Sequence, residues 1–361
     1  MTTPTDTGLP STDIPAVYVL HENHEWWPPF AAAFERAGVP VVPWNLVAGE
    51  LDLDRTPPEG VFWSRISASS HTRGHVLSKD FARSVLSWLE GHGRTTVNGR
   101  RAIELEVSKV HQLSRLAAHG IDVPRTISVV GQPTKQTLRR LDLAAQALPT
   151  PFITKHNQGG KGLGVRRFDS HAAFRTEVER IEEELNDPER RESALADWPV
   201  DGILLLQEYL RPAGGFISRA EFVGDRHLYT LAADTVHGGF QLCPADACEV
   251  DPVSGRPVVP PGAEAAPAPG QAIFSLREGF THPVLDRYRD FLAAEGVGIA
   301  GVEFIETDDA RIVAYDVNTN TNYNPDVEKR AQEVGIAGGP DSIVAHLGRL
   351  LSREVQLGAS S

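Results

Sequence analysis

Residues 153–168 read ITKHNQGGKGLGVRRF, four glycines and two lysines between two short apolar runs. Glycine leaves the main chain bare and opens φ values closed to other residues, so such a cluster marks a turn or a close approach to the backbone. Two common phosphate loops fail here. A Walker A loop needs Ser or Thr after Gly-Lys and then a helix, but Lys161 is followed by Gly162 and GVRRF has strand character. A dinucleotide fingerprint needs its glycines to open a helix, and the next helical pattern begins only near Ser170. Strand, glycine-rich loop, strand remains. It is either a flap whose amides close over a polyphosphate, with Lys155 reaching the same oxygens, or a flexible hairpin.

The rest of the chain narrows that choice. With 361 residues, 41% of them hydrophobic, it supports two or three compact units. A formal net charge of −13 argues against a broad phosphate-backbone footprint, so nucleic acid is not an expected partner. No apolar run is long enough to span a bilayer, and the opening MTTPTDTGLPSTD has neither the charged start nor the apolar centre of a signal peptide. A cytoplasmic protein with no membrane partner and a disordered tail over 1–13 is expected. Cys243 and Cys248, spaced C-x₄-C, fit reduced thiols better than a zinc site.

From Ala16 the pattern is α/β. AVYVL is a buried strand, WPPFAAAFERAG a helix with Pro at its start and Gly at its stop, and VPVVPW the next strand. A strand at Val61 to Trp63 and a helix carrying Phe81, Val85, Leu86 and Leu89 on one face continue the unit, which closes near Asn98-Gly99. In VSKVHQLSRLAAHGI, Ser108 caps a helix with Val110, Leu113, Leu116 and Ala117 on its buried stripe. Lys109 then sits in the first turn, against the helix dipole unless an anion is held nearby. A further amphipathic helix carries Phe174, Val178, Ile181 and Leu185, while residues 251–270 hold six prolines without periodicity and are expected to be a flexible insertion or lid, not a domain linker.

The hairpin GVEFIETDDARIVAYDVN carries the sharpest chemistry. With Asp308-Asp309 as its turn, Glu303 faces Ala314 and lies diagonal to Asp316, and Asn318 follows on the same face among Gly301, Ile305, Ile312 and Ala314. Two carboxylates in apolar surroundings repel and lose hydration, and a hard divalent cation relieves both costs. Glu303, Asp316 and Asn318 thus make an all-oxygen Mg²⁺ set. On repulsion alone, Asp316→Asn is expected to stabilise the metal-free protein. A second hairpin turns at Gly224-Asp225 and places Arg219 on a face with Ile217, Glu221, Val223 and Leu228. There it meets an anionic ligand or simply pairs with Glu221.

In chain order, SRISASSHTR, VNG, SKVHQLSRLAAHGIDVPRT, TKHNQGGKGLGV, LLQEYL, RAEFVG and GVEFI…YDVNTN together resemble the ATP-grasp superfamily, in particular its RimK-like amino-acid ligases. The resemblance implies an α/β (α+β) ATP-grasp fold: a pre-ATP-grasp α/β domain over 14–107, a central subdomain with the flap over 108–206, and a C-terminal subdomain with the metal site over 207–355. It implies ATP as co-substrate, its phosphates held by Lys109 and Lys155, with Gln158, Gly159, Gly160, Lys161, Gly162 and Gly164 in the flap and Gln207, Glu208 and Leu210 lining the adenine pocket. It further implies Mg²⁺ on Glu303, Asp316 and Asn318, as two ions for which Mn²⁺ can substitute. Lys155 and Arg219 become catalytic, Arg219 steadying the reacting carboxylate. Asp316-Val317-Asn318 stands where many relatives have Glu-x-Asn, and TNTNYNPD stands in place of Ser-Pro-Gly. The substrate therefore stays open.

The implied chemistry is amide or peptide bond formation through an acyl phosphate, with small-molecule carboxylate and amine partners, amino acids or a short peptide, and a homodimer as a compatible assembly. The loop with Arg65, Ser67, Ser69, Ser70 and Arg73 and the run with Asn320, Asn322 and Tyr323 offer hydroxyl, guanidinium and amide groups suited to an amino-acid zwitterion. A small-molecule kinase, a carboxylate–thiol ligase and a non-catalytic nucleotide-binding module are the alternatives.

Overall fold

A computed structural model describes residues 12, 14–160, 162, 164–238 and 272–358. Lys161, Cys243, Cys248, the 251–270 segment and nearly all of the 1–13 tail lie outside them. The first unit is built from β1 (Ala16–His21), α1 (Pro28–Ala37), β2 (Val41–Asn45), β3 (Gly60–Arg65), α2 (Ser78–Gly91) and β4 (Thr95–Val97), its parallel sheet ordered β2-β1-β3-β4. Every residue of β1 and β3 is buried, as central parallel strands covered on both faces must be. α2 buries Ala82, Val85, Leu86, Trp88 and Leu89; Phe81 only flanks that core.

Next come α3 (Arg100–Val107), too short to show in the periodicity, and α4 (Lys109–Ala118). Ser108 caps α4 as its sequence suggests, accepting from His111 N. The buried stripe differs from expectation: Val110 and Ala117 are exposed, and Gln112 is buried with Leu113 and Leu116. Gln112 earns an interior place because its amide is fully used, donating to Leu105 O and Val317 O (both 2.7 Å) and accepting from Val317 N (3.0 Å).

The second sheet is antiparallel and holds β5 (Thr126–Val130), β6 (Phe152–His156), β7 (Arg166–Phe168) and β8 (Ile203–Glu208) in the order β5-β8-β6-β7. Helices α5 (Lys135–Gln146), α6 (His171–Asn186) and α7 (Arg191–Ala196) are interspersed along this segment. Residues of α5 and α6 pack on Phe152, Phe168 and Leu206, so the alternate positions Ile153, Lys155 and Gln207 face the other way. β8 runs across the 206/207 boundary and keeps Gln207 and Glu208 in the flap's own sheet.

The third sheet, also antiparallel, has the order β11-β10-β9-β12-β13. Its strands are β9 (Phe216–Val223), β10 (Arg226–Asp234), β11 (Phe274–Leu276), β12 (Ile299–Glu306) and β13 (Ile312–Asn318), with the single turn α8 (Thr235–Gly238) and α9 (Val284–Ala294) between them. After α10 (Pro325–Glu333), the last helix α11 (Gly339–Gly358) returns to the first sheet, where Ile343, Val344, Leu347 and Leu351 share a core with Val17, Val19, Val61 and Trp63. Asn98, at φ 54°, ties the same junction. Its Nδ2 donates to Ile299 O and Thr319 O, and its Oδ1 accepts from Gly298 N and Ile299 N. No helix among the described residues is long and apolar enough to cross a membrane.

Candidate active site

The second and third sheets face each other across a cleft of about 310 Å³, closed at one end by the first unit. Its floor is the hairpin of β12 and β13. Glu303 pairs directly with Asp316, not with Ala314, because the register slips by one residue twice: the turn takes in Ala310 (φ 61°) beyond Asp308-Asp309, and a bulge takes Tyr315 out of the ladder. Ile312 and Ala314, which lie between the turn and the bulge, therefore face the opposite way and join the core with Val302, Phe304 and Val317. On the site face Arg219, Glu303 and Asp316 form one cross-strand row, and Gly301 opposite Asn318 lies beside it.

Two lysines reach this floor from separate elements. Lys109 Nζ donates to Asp316 Oδ2 at 2.6 Å, and Lys155 Nζ lies 3.4 Å from Tyr315 O. Asn157, at the root of the flap, holds them in relation. Its Oδ1 accepts from Val110 N (2.8 Å) and Ser108 Oγ (3.2 Å), its carbonyl accepts from Lys109 N (3.2 Å), and its Nδ2 donates to Asp201 (2.7 Å). The anion that Lys109 needs in the first turn of α4 is thus, in the protein alone, Asp316.

Burial, then the neighbouring Lys109 charge, lowers Lys155 to about 7. Burial, then the Asp316 charge, raises Glu303 to about 7. Burial pushes Asp316 up as well, but Lys109 and Lys155 outweigh it and hold that carboxyl below its ordinary value. Among the described residues no three His, Cys, Asp or Glu side chains converge, so a metal here rests on two carboxylates and one amide. That set fits a hard cation: all donors are oxygen, and Glu303, raised by burial and by the Asp316 charge, is the acid that an added positive charge would relieve. Asn318 Oδ1 already accepts from Asn320 N (2.9 Å), which fixes its direction.

The flap loop and the β8 strip form the other wall. Gly159, Gly160, Gly162, Gln207, Glu208 and Leu210 all line the cleft, together with Ile153 and Val165. Gln158 and Gly164 do not. Gly164, at φ 70°, fits against the His156 ring, where a Cβ would lie 2.2 Å from Cδ2. At Gly160 a Cβ would meet only Ser69, at an ordinary 3.6 Å. Gly164→Ala should therefore cost stability, on the order of 1–3 kcal/mol in denaturant unfolding. Gly160→Val should leave the midpoint nearly unchanged while raising the KM for nucleotide, and unchanged kinetics would remove the flap from the chemistry.

Arg219 is not on the cleft surface. Its Nη2 lies 2.5 Å from Glu221 Oε1, donates to Asn322 O (2.8 Å) and Thr321 Oγ1 (3.2 Å), and its Nη1 is 3.9 Å from Glu303. The pairing left open in the sequence is present, because residues two apart on a strand share a face. Gly301 makes room for it: a Cβ there would come within 3.0 Å of Arg219 and 3.1 Å of Glu221. With Glu221 wholly buried, Arg219→Met should destabilise the protein by about 3–5 kcal/mol by leaving that carboxylate unpaired. Chemical unfolding checks this, and Glu221→Met in the same chain should restore most of the loss.

At the far end Ser67, Ser69, Asn320 and Asn322 line the cleft with Trp26 and Glu106. Arg65, Ser70, Arg73 and Tyr323 do not line it; they support its wall. Arg65 lies between Phe30 and Trp63, Ser70 accepts from Lys79, Arg73 holds Glu22 (2.6 Å), and Tyr323 packs against Phe30. Glu106, Gln112, Asn157 and Trp26 are among the site residues that sequence reasoning missed, as are Arg167, Tyr209 and Tyr315 on the cleft lining. Glu106 accepts from Ala68 N (3.1 Å) and from Thr319 N and Oγ1 (2.8 and 2.9 Å), joining the loop of Ser67 and Ser69 to that of Asn320 and Asn322.

No protein-family model matches the chain. Over 161 residues it is 29% identical to a protein named probable alpha-L-glutamate ligase of Xanthomonas oryzae pv. oryzae, a match covering 45% of this chain. The chain spans about half (48%) of the length of the curated relatives it matches. D-alanyl-alanine synthetase A of Vibrio cholerae superimposes with a TM-score of 0.59 at 13% identity, over 94% of this chain and 99% of that one. A RimK domain ATP-grasp protein of Sphaerobacter thermophilus gives 0.57 at 15%, over 92% and 98%. The ATP-grasp ligase PsnB, complexed with a phosphomimetic variant of its minimal precursor, Mg and ADP, gives 0.53 at 14%, also over 92% and 98%. At these identities the likeness establishes the fold alone: the chain has the ATP-grasp architecture that its ordered motifs imply.

Proposed function

We propose that this chain, built on the ATP-grasp fold, is an ATP-dependent carboxylate–amine ligase acting on an amino acid or short peptide. One observation carries the reading: lysines from two separate elements converge on the facing Glu303 and Asp316 at one end of a cleft whose other end offers hydroxyl and amide groups. The ligase names of its relatives support it.

Lys109 and Lys155 hold the nucleotide phosphates, bare backbone at Gly159, Gly160 and Gly162 covers them, and Gln207, Glu208 and Leu210 take the base. Glu303, Asp316 and Asn318 would hold Mg²⁺, as two ions, with Mn²⁺ as a substitute on the same oxygen donors. When bound, the metal supplies positive charge against the transferring phosphoryl group. A substrate carboxylate oxygen attacks the γ-phosphorus as the bond to the ADP oxygen breaks, and the two ammonium groups counter the charge that spreads over the phosphoryl oxygens. The amine then attacks the acyl carbon, the carbon–oxygen bond to phosphate breaks, and the amine's proton is released. Arg219 adds positive potential behind Glu303 and anchors the loop of Asn322, a more indirect role than contact with the reacting carboxylate. A cytoplasmic setting, where ATP and free amino acids are plentiful, and a homodimer belong to the same proposal.

The test is ADP release from purified protein offered carboxylate and amine libraries, with product masses. ADP should require both substrates, and the product mass should equal their sum less water. A phosphorylated product formed without amine would indicate a kinase, a thioester mass a thiol ligase, and nucleotide binding without turnover a binding module.

A further inference from the structure

Residues 319–322 form the cleft's far wall, and nearly every polar group in them is tied down. Glu106 holds Thr319, Glu221 accepts from Thr321 Oγ1 (3.0 Å), Arg65 Nη2 donates to Thr321 O (3.1 Å) and Asn322 Oδ1 (2.9 Å), and Arg219 donates to Asn322 O. Asn320 breaks the pattern. It is 4% exposed and lines the cleft, yet neither Nδ2 nor Oδ1 has a partner among the described residues. A buried primary amide with both atoms unmet is costly, and it persists where a ligand completes it.

Asn322 gives the sign of that ligand. A guanidinium can only donate, so Asn322 must turn Oδ1 to Arg65, which leaves Nδ2 as the donor it can offer the cleft. Arg65 itself is buried against Phe30 (4.0 Å) and Trp63 (5.2 Å) and has no ion-pair partner among the described residues. Its charge lies one amide behind the cleft wall and is met by carbonyl oxygens and ring faces, not by a paired anion. A buried cation so placed favours an anion across Asn322.

We propose that Asn320 and Asn322 read the free carboxylate of an α-amino-acid unit. Both Nδ2 groups donate to the carboxylate, Arg65 polarises Asn322 from behind, and Asn320 Oδ1 accepts from the N–H on the adjacent α-nitrogen. The unit is either a free amino acid or the C-terminal residue of a peptide, since both carry that N–H beside a carboxylate. The assignment rests on the ligase reading and names the substrate feature it selects.

Thermal unfolding of the full chain tests it, with ADP and Mg²⁺ present, against free L-amino acids, dipeptides and the α-carboxamides of both. Without amino acid, Asn320→Leu should raise the melting temperature by about 1–4 °C, because it removes two unmet polar atoms in a similar volume. At least one free acid should stabilise wild type, its α-carboxamide should need at least about tenfold higher concentration for the same shift, and Asn320→Leu and Asn320→Ala should abolish that discrimination. A response confined to amino acids assigns a free substrate; one that includes dipeptides assigns a C-terminal residue. Lowered melting temperatures for both variants, equal binding of acid and carboxamide, or no response to any acid would overturn the proposal. Stabilisation by ADP without acid discrimination sinks this inference alone, whereas no response to nucleotide sinks the ligase reading beneath it.

Discussion

Asp316→Asn should abolish turnover, by on the order of 10³-fold or more, and should lower the melting temperature. On the proposed ligase reading, the loss of activity follows from replacing an anionic metal ligand by a neutral amide and leaving the phosphoryl charge without its counter-ion. The stability effect has the opposite sign to that expected from two crowded carboxylates, and Lys109 is the reason. Its ammonium, 2.6 Å from Asp316, together with Lys155, holds that carboxyl below its ordinary value. A carboxyl depressed in the folded state stabilises the protein above its unfolded pKa, and that stabilisation is lost as pH falls through the folded value. The substitution removes it at neutral pH, for a cost of about 1–2 kcal/mol, since the side chain is 24% exposed and relief of the Glu303 repulsion offsets part of it. Activity and denaturant unfolding, measured on one preparation, check both halves. An unchanged rate would mean that Asp316 holds no metal.

Lys155→Met should cost about 10²–10³-fold in turnover and make the protein more stable, with a gain that depends on pH. Lys155 is buried and lowered to about 7 from 10.5. Below about pH 7 both folded and unfolded chains carry the proton, so the full cost of burying the ammonium is present. Between about 7 and 10.5 the unfolded chain binds more protons, so wild-type stability rises with pH, and above 10.5 the difference is gone. The variant's advantage should therefore be largest near pH 6, on the order of 2–4 kcal/mol, and should vanish by about pH 10.5. Nucleotide binding by wild type should take up a proton above pH 7 and weaken by up to about tenfold per pH unit, whereas the variant should be flat. Calorimetry between about pH 7.5 and 9.5, where the nucleotide phosphates no longer titrate, reads this directly. Equal slopes in the two proteins would free Lys155 of the phosphate role.

These two residues also show what the sequence can and cannot carry. Local signals were sufficient for the flap hairpin, the Ser108 cap and the turn at Gly224-Asp225, because each depends on neighbours within a few positions. Glu303 and Asp316 could be placed on one face, but not directly opposite, since a turn longer by Ala310 and a bulged residue at Tyr315 each move the register by one, and neither leaves a mark in hydrophobic alternation. Gln112 and Asn157 were invisible for a related reason. Their burial is stabilised by backbone groups far along the chain, Val317 for one and Lys109 and Val110 for the other, and helical or strand periodicity counts such residues as surface. Arg219 could be paired with Glu221 from their spacing alone. Its withdrawal from the cleft depends on the carbonyl of Asn322, 103 residues away.

The central claim is that a carboxylate is activated by phosphoryl transfer and then captured by an amine, and oxygen-18 transfer tests it most directly. With the pair found by ADP release, the carboxylate substrate is labelled in both oxygens and the released phosphate is analysed by mass. Passage through an acyl phosphate predicts one labelled oxygen in each phosphate, with the other retained in the amide carbonyl. Unlabelled phosphate, with both labelled oxygens still in the carboxylate, would contradict the claim.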